Sequence, residues 1–229
     1  MKTRMYDAAR SEQGFTLVEL AVVMIIIGLL VGGILKGQEM IANAQVTSTV
    51  AQLKAIDAAT GTFRDVFDAF PGDMLAANTR LPNCGAAACV AGNGNNQLAT
   101  TSLVGTGENL NFFPHLQAAE LVTNVNATGY MDADIAANEI VPGYTAGGAY
   151  GLLAAARAGH YLTVSTSGTP GGQNLKPLDA ARMDRKIDDG DPTTGSAGGV
   201  GPAACGTAAA GYIERTSTAV CGFSVRIQG

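Results

Sequence analysis

Polar and apolar positions divide the chain into stretches of different character. Residues 1–14, MKTRMYDAARSEQG, are polar and set Lys2, Arg4 and Arg10 against Asp7 and Glu12. Residues 15–35, FTLVELAVVMIIIGLLVGGIL, are apolar apart from Thr16 and a single charge, Glu19. At about 1.5 Å per residue this run makes some 32 Å of helix, enough to cross a hydrocarbon core of about 30 Å. From Lys36 onward the pattern becomes amphipathic. Val46, Val50, Leu53, Ile56, Phe63 and Phe67 recur at helical spacings, with Gln45, Gln52, Lys54, Asp57 and Arg64 between them. A continuous helix with one apolar stripe is expected, running to the turn signal Phe70-Pro71-Gly72-Asp73. It would hold about 54 residues and measure roughly 80 Å.

Beyond Pro71 the pattern is weaker. Leu81 to Gly107 has no sustained period and reads as a loop pinned by cysteines. Glu108 to Val125 places Phe112, Phe113, Leu116, Ala119, Leu121 and Val122 at near-helical spacing, with Pro114 tolerable in a first turn. Tyr150–Ala158, His160–Ser167 and Gly222–Ile227 read as strands, and Pro177–Ile187 as a short helix. The expected class is α+β: a long N-terminal helix packed against a small antiparallel sheet with loop insertions. The expected division is 1–14 leader, 15–35 membrane-spanning helix, 36–70 amphipathic continuation and 71–229 globular head.

Composition narrows the possible partners. Of 229 residues, 47% are hydrophobic and only 14% charged, against roughly 25% charged in an ordinary soluble domain, which argues against disorder. A net charge of -5 and a pI near 4.9 leave no broad basic face to neutralise phosphates, so no nucleic-acid partner is expected. The basic leader should stay cytoplasmic and the remainder be exported. In an oxidising compartment the four cysteines favour two disulfides. Three connectivities are possible, and the near pairs Cys84–Cys89 and Cys205–Cys221 are favoured because near neighbours close first.

Three readings compete for residues 15–35. A cleaved signal peptide could use Ala42-Asn43-Ala44, but its apolar region spans about 7 to 15 residues, and this run is too long. A plain anchor explains the length and leaves Glu19 without a purpose. The third reading treats the polar stretch as a removable leader and Glu19 as functional. Gly14-Phe15-Thr16-Leu17-Val18-Glu19-Leu20 resembles the cleavage motif of type IV prepilins and of the related pseudopilins of type II secretion. The resemblance implies that a prepilin peptidase cuts after Gly14, that Phe15 becomes an N-methylated terminus, and that Glu19 guides assembly. It covers roughly Gly14 to Pro71. The chain departs from many pilins in having no proline before Pro71, with Gly28, Gly32, Gly33 and Gly37 as the local helix weakeners or close-packing points. Asn109 to Asn124 and the stretch DRKIDDGDPTTG resemble uncharacterised prepilin-like proteins, without an assigned activity.

The family implies a structural subunit of a pilus-like filament, a helical homo-oligomer built by inner-membrane machinery. As a precursor it would sit in the inner membrane and afterwards in an extracellular filament. The nearest alternative is a pseudopilin confined to the periplasm, and a more distant one is a membrane-anchored periplasmic binding domain. No catalysis is expected. His115 and His160 lie on different elements with no metalloprotease or nucleophile-elbow spacing, and read as packed side chains. Gly92-Asn93-Gly94 and Gly105-Thr106-Gly107 lack the Lys-Ser/Thr of a phosphate loop. No cofactor is expected, with calcium as a possible exception. Asp184, Asp188, Asp189 and Asp191 surround Gly190 and could supply several of the oxygen ligands that calcium needs. The competing reading is a solvated turn neutralised by Arg185 and Lys186.

Overall fold

The computed structural model describes residues 14–84, 89–98, 107–147, 153, 156–166 and 173–227. Residues 1–13 of the expected leader 1–14 and most of the expected strand at Tyr150–Ala158 lie outside the described residues. Helix α1 spans Leu17–Phe67, α2 Ala77–Arg80 and α3 Glu108–Ala118. Strands β1 (Met131–Asp132), β2 (Glu139–Thr145) and β3 (Gly159–Ser165) precede helix α4 (Pro177–Ile187). Strands β4 (Ala197–Val200), β5 (Gly206–Thr207), β6 (Gly211–Tyr212) and β7 (Gly222–Ile227) follow. The class is α+β. Two compact units divide the chain at Ile41/Ala42, so the amphipathic residues 42–67 of α1 belong with the head.

Within the second unit, Val46, Val50, Leu53, Ile56 and Phe63 of α1 are buried in one core. That core also holds Phe112, Phe113 and Leu116 of α3 and Ile140, Leu162, Val164 and Phe223 of the sheet. Phe67, at the end of the stripe, is only half-buried. The helix stops at Phe67, three residues before the expected end. Asp68 turns into the left-handed region (φ 48°) and the Arg80 guanidinium donates to the Phe67 carbonyl. Pro71 then disfavours helix in the residue before it.

The main sheet has the order β1-β2-β3-β7-β4, with every pair antiparallel, and β5-β6 forms a separate two-stranded ribbon. Alternation along β3 and β7 explains the centre of the sheet: Leu162 pairs with Val225 and Val164 with Phe223. Between them Thr163 and Ser224 pair, with hydroxyl oxygens 3.0 Å apart and both side chains fully buried. β2 and β4 escaped the sequence reading. β2 carries Pro142, which is accommodated because β1 pairs only as far as Ile140. From there on β2 pairs with β3 alone, so the missing N–H costs no ladder bond. β4 is Ala-Gly-Gly-Val, and a Cβ at Gly199 would lie 2.9 Å from Leu153 Cδ1 and 3.0 Å from Tyr212 Cε1.

α3 is shorter than expected, ending at Ala118 instead of Val125. Its end is a Schellman arrangement: Leu121 N donates to Leu116 O at 2.9 Å, Glu120 N donates to Gln117 O at 3.0 Å, and Glu120 has φ 61°. A glutamate at the position usually given to glycine hides this stop from sequence reading. Pro114 lies well inside the helix and not in its first turn.

Candidate functional site

The N-terminal site is built by the start of α1. Gly14, Phe15 and Thr16 precede the helix, which leaves the Gly14–Phe15 peptide bond outside it, and Phe15 is 89% exposed. Thr16 and Glu19 then satisfy each other. Glu19 Oε2 accepts from Thr16 N at 2.9 Å and from Thr16 Oγ1 at 2.8 Å, while Glu19 N donates to Thr16 Oγ1 at 3.2 Å. This is the reciprocal capping box expected of Thr-x-x-Glu at a helix start. A negative charge in the first turn also complements the helix dipole. Thr16 is a residue the sequence reading passed over as one letter of the motif, although its spacing from Glu19 is a capping signal.

From Leu17 to Leu35 the large apolar side chains are exposed, and no residue of α1 before Val46 is buried. α1 is long and apolar enough to cross a membrane, with a mean hydropathy of 2.7 over its most apolar window. Glu19 is therefore one carboxylate at the start of an apolar surface. Lys36, the next ionisable residue along α1, donates to Glu39 at 2.7 Å.

The four aspartates considered for calcium do not behave as a unit. Asp184 is fully buried on α4, where its carboxylate accepts from Tyr212 Oη at 2.7 Å and from Gly190 N at 3.3 Å. Burial pushes its pKa up to about 6, against the hydrogen bonds of Tyr212 and Gly190, and the nearby Asp189 and Asp188 push the same way. Asp188 accepts from Ser196 and from Ala197 N at 3.2 Å. Asp189 accepts from Thr194 Oγ1 at 2.5 Å and Asp191 N at 2.9 Å, bonds that hold its carboxyl below its usual range. Asp191 closes on Thr193 N at 2.9 Å and Oγ1 at 2.7 Å. Arg185 does not neutralise this cluster but pairs with Glu214. Asp184 is thus a buried group and not part of a solvated turn. Among the described residues, no group of three or more His, Cys, Asp or Glu is arranged to hold a metal ion.

The glycine-asparagine loop does surround an anion, and the chain itself supplies it. Asp73, 2% exposed, accepts from Asn93 N at 3.1 Å, Gly94 N at 2.8 Å and Asn96 N. Gly92 permits the approach, since a Cβ there would lie 2.3 Å from Asp73 Cα. His115 secures the other side. Its Nδ1 accepts from Gly72 N at 2.9 Å and its Nε2 lies 3.0 Å from Val90 O, which requires the neutral tautomer protonated on Nε2. Burial lowers its pKa. His160 stacks on Phe70 with ring centroids 3.7 Å apart. Burial, with help from Arg64 and against Asp73, lowers its pKa to about 4. Disulfides join Cys84 to Cys89 (Cα–Cα 5.6 Å) and Cys205 to Cys221 (5.1 Å).

Residues 9–35 match the model of the prokaryotic N-terminal methylation motif, the signature of type IV prepilins and pseudopilins. The matched span contains the Gly14–Phe15 junction, the capping box and the whole apolar run. Over these residues the chain is similar to pilin-like and pseudopilin proteins in general, and the motif with the apolar helix supports a membrane-anchored precursor. No curated protein and no solved structure matches the chain.

Proposed function

We propose that this chain is a structural subunit of a type IV pilus-like filament. It is inserted in the inner membrane as a precursor, cut after Gly14 by a prepilin peptidase, methylated on Phe15 and polymerised through residues 15 to about 68. The observation that carries this reading is an exposed Gly14–Phe15 junction directly ahead of a capped helix whose first 21 residues after the junction hold one charge, Glu19. A peptidase can reach a bond outside the helix without unwinding it.

Assembly follows from the same residues. Once the apolar helix leaves lipid for a bundle of its copies, the Glu19 carboxylate enters an apolar environment and needs a cation. No Lys or Arg lies between Phe15 and Leu35, so the new ammonium of Phe15 is the available partner, and methylation leaves it charged. Pairing with the Phe15 of a neighbouring copy would set the axial register of an incoming subunit.

Electron microscopy of shed filaments, with mass spectrometry of their subunits, tests the proposal. Filaments outside the cell whose subunits begin with N-methyl-Phe15 support it. The same terminus on a protein confined to the periplasm would favour the pseudopilin alternative. A mature chain beginning at Met1 or Gln45 would remove the prepilin reading.

A further inference from the structure

We propose that Asp184 is a proton-operated latch that holds the β5–β6 ribbon against α4, closed when the carboxyl is protonated and loosened when it ionises. The geometry begins with burial. Asp184 is fully buried, yet among the described residues only two donors reach its carboxylate, Tyr212 Oη at 2.7 Å and a long contact from Gly190 N at 3.3 Å. A buried carboxylate is stable as an anion when a cation or several short hydrogen bonds replace its water. Here the surroundings have the opposite character.

Every element packed on this part of α4 bears on the charge. In the turn after α4, Asp188, Asp189 and Asp191 add negative charge and spend their oxygens on Ser196, Thr194 and Thr193. β6 contributes Tyr212, whose own ionisation is suppressed by burial and by Asp184. After β6, Glu214 is engaged with Arg185. β4 carries no ionisable side chain, and on β7 Arg226 lies against Gly159. On α4 itself Arg182 pairs with Asp179 at 3.6 Å, and Lys186 is exposed. Among the described residues no Lys or Arg forms an ion pair with Asp184.

The ribbon that Asp184 holds is small enough to respond. β5 and β6 pair through only Gly206↔Tyr212 and Thr207↔Gly211. The Cys205–Cys221 disulfide pins one end of the ribbon. Ile213 N donates to Cys205 O at 3.0 Å and closes the same end of the ribbon, so motion is confined to residues 206–212 beyond it. The Arg185–Glu214 pair is a second link, but it is partly exposed and correspondingly weak. Opening would hydrate the Asp184 carboxylate and expose the buried Tyr212 side chain that donates to it.

The sign follows from linkage. The closed state raises the carboxyl pKa from 3.8 to about 6, so it gains protons relative to the open state as pH falls through that window. Opening should become roughly tenfold or more easier between pH 4.5 and 7.5. The experiment is hydrogen exchange by mass spectrometry on the full chain in detergent micelles, with rates for 206–213 divided by their intrinsic values at each pH. Wild type should lose about tenfold protection in this segment from pH 4.5 to 7.5, whereas Asp184→Asn, which retains an acceptor for Tyr212 and cannot ionise, should show no such change. Equal pH dependence in both proteins, or none in wild type, overturns the latch. A second measurement needs no variant: carbon-13 titration of the wild-type Asp184 carboxyl should give a midpoint well above that of a free aspartate. A midpoint at the ordinary value overturns the proposal independently.

Discussion

Asp73 offers a quantitative test of how the loop at 89–98 is held. Replacing it with alanine removes a buried carboxylate that accepts three backbone N–H groups. Two of them keep another acceptor: Asn93 N also donates to Glu108 Oε1 at 2.8 Å, and Gly94 N to the backbone carbonyl of residue 73 at 3.1 Å. Asn96 N loses the partner that the carboxylate supplied. Hydrogen bonds to a charged group contribute about 1.5 to 3 kcal/mol each, and a stranded buried donor costs about 1 to 3 kcal/mol. Allowing for the two retained acceptors, Asp73→Ala should destabilise the protein by about 3 kcal/mol. Asp73→Asn should not rescue it, because either amide orientation points an NH2 group at one of the three N–H donors. Urea unfolding of the full chain in micelles, followed by circular dichroism, measures the global loss, and hydrogen exchange at 93–97 measures local release. If Asp73→Ala shifts stability by less than about 0.5 kcal/mol and leaves protection at 93–97 unchanged, the anion-cradle account of this loop is wrong.

Three further outcomes are expected. Glu19→Gln keeps a side chain able to complete the capping box, and Thr16→Val keeps the charge but breaks the box. If Glu19 acts through its charge, Glu19→Gln subunits should be cleaved after Gly14 yet absent from filaments while Thr16→Val subunits enter; the reverse pattern in immunoblots of sheared filaments would assign the residue to helix capping alone. Replacing Cys205 and Cys221 by serine opens a loop of sequence separation 16 and should cost about 3 kcal/mol in denaturant unfolding, with a much smaller effect arguing that the reduced segment retains its structure. His160 binds its proton more weakly folded than unfolded, so its contribution to stability is present above pH 6.5 and is lost as pH falls toward about 4. His160→Gln should therefore flatten the fall in melting temperature across that window, and an unchanged slope would mean that the buried ring does not govern it.

The sequence by itself determined the elements whose signal is local and periodic. The apolar run at 15–35 was legible from its unbroken length, the strand at Gly222–Ile227 from its short local pattern, and the stripe from Val46 to Phe63 and the helix at Pro177–Ile187 from apolar residues recurring at helical spacing. The Gly14, Phe15 and Glu19 register was legible because a short motif carries it without help from the rest of the chain. Tertiary structure decided what depends on distant partners. β2 runs through Pro142 because β1 stops beside Ile140, and β4 carries Gly199 where Leu153 and Tyr212 leave no room for a side chain, neither of which a local pattern could show. Asp184 and Asp188 stand four residues apart in sequence. Yet the packing of β6 onto α4 buries the first, while the turn at 188–196 leaves the second bonded to Ser196. Spacing places residues on a face, but burial and hydrogen-bond supply are set by what the rest of the chain brings to that face, and these decide whether a carboxylate is a surface charge or a proton-sensitive interior group.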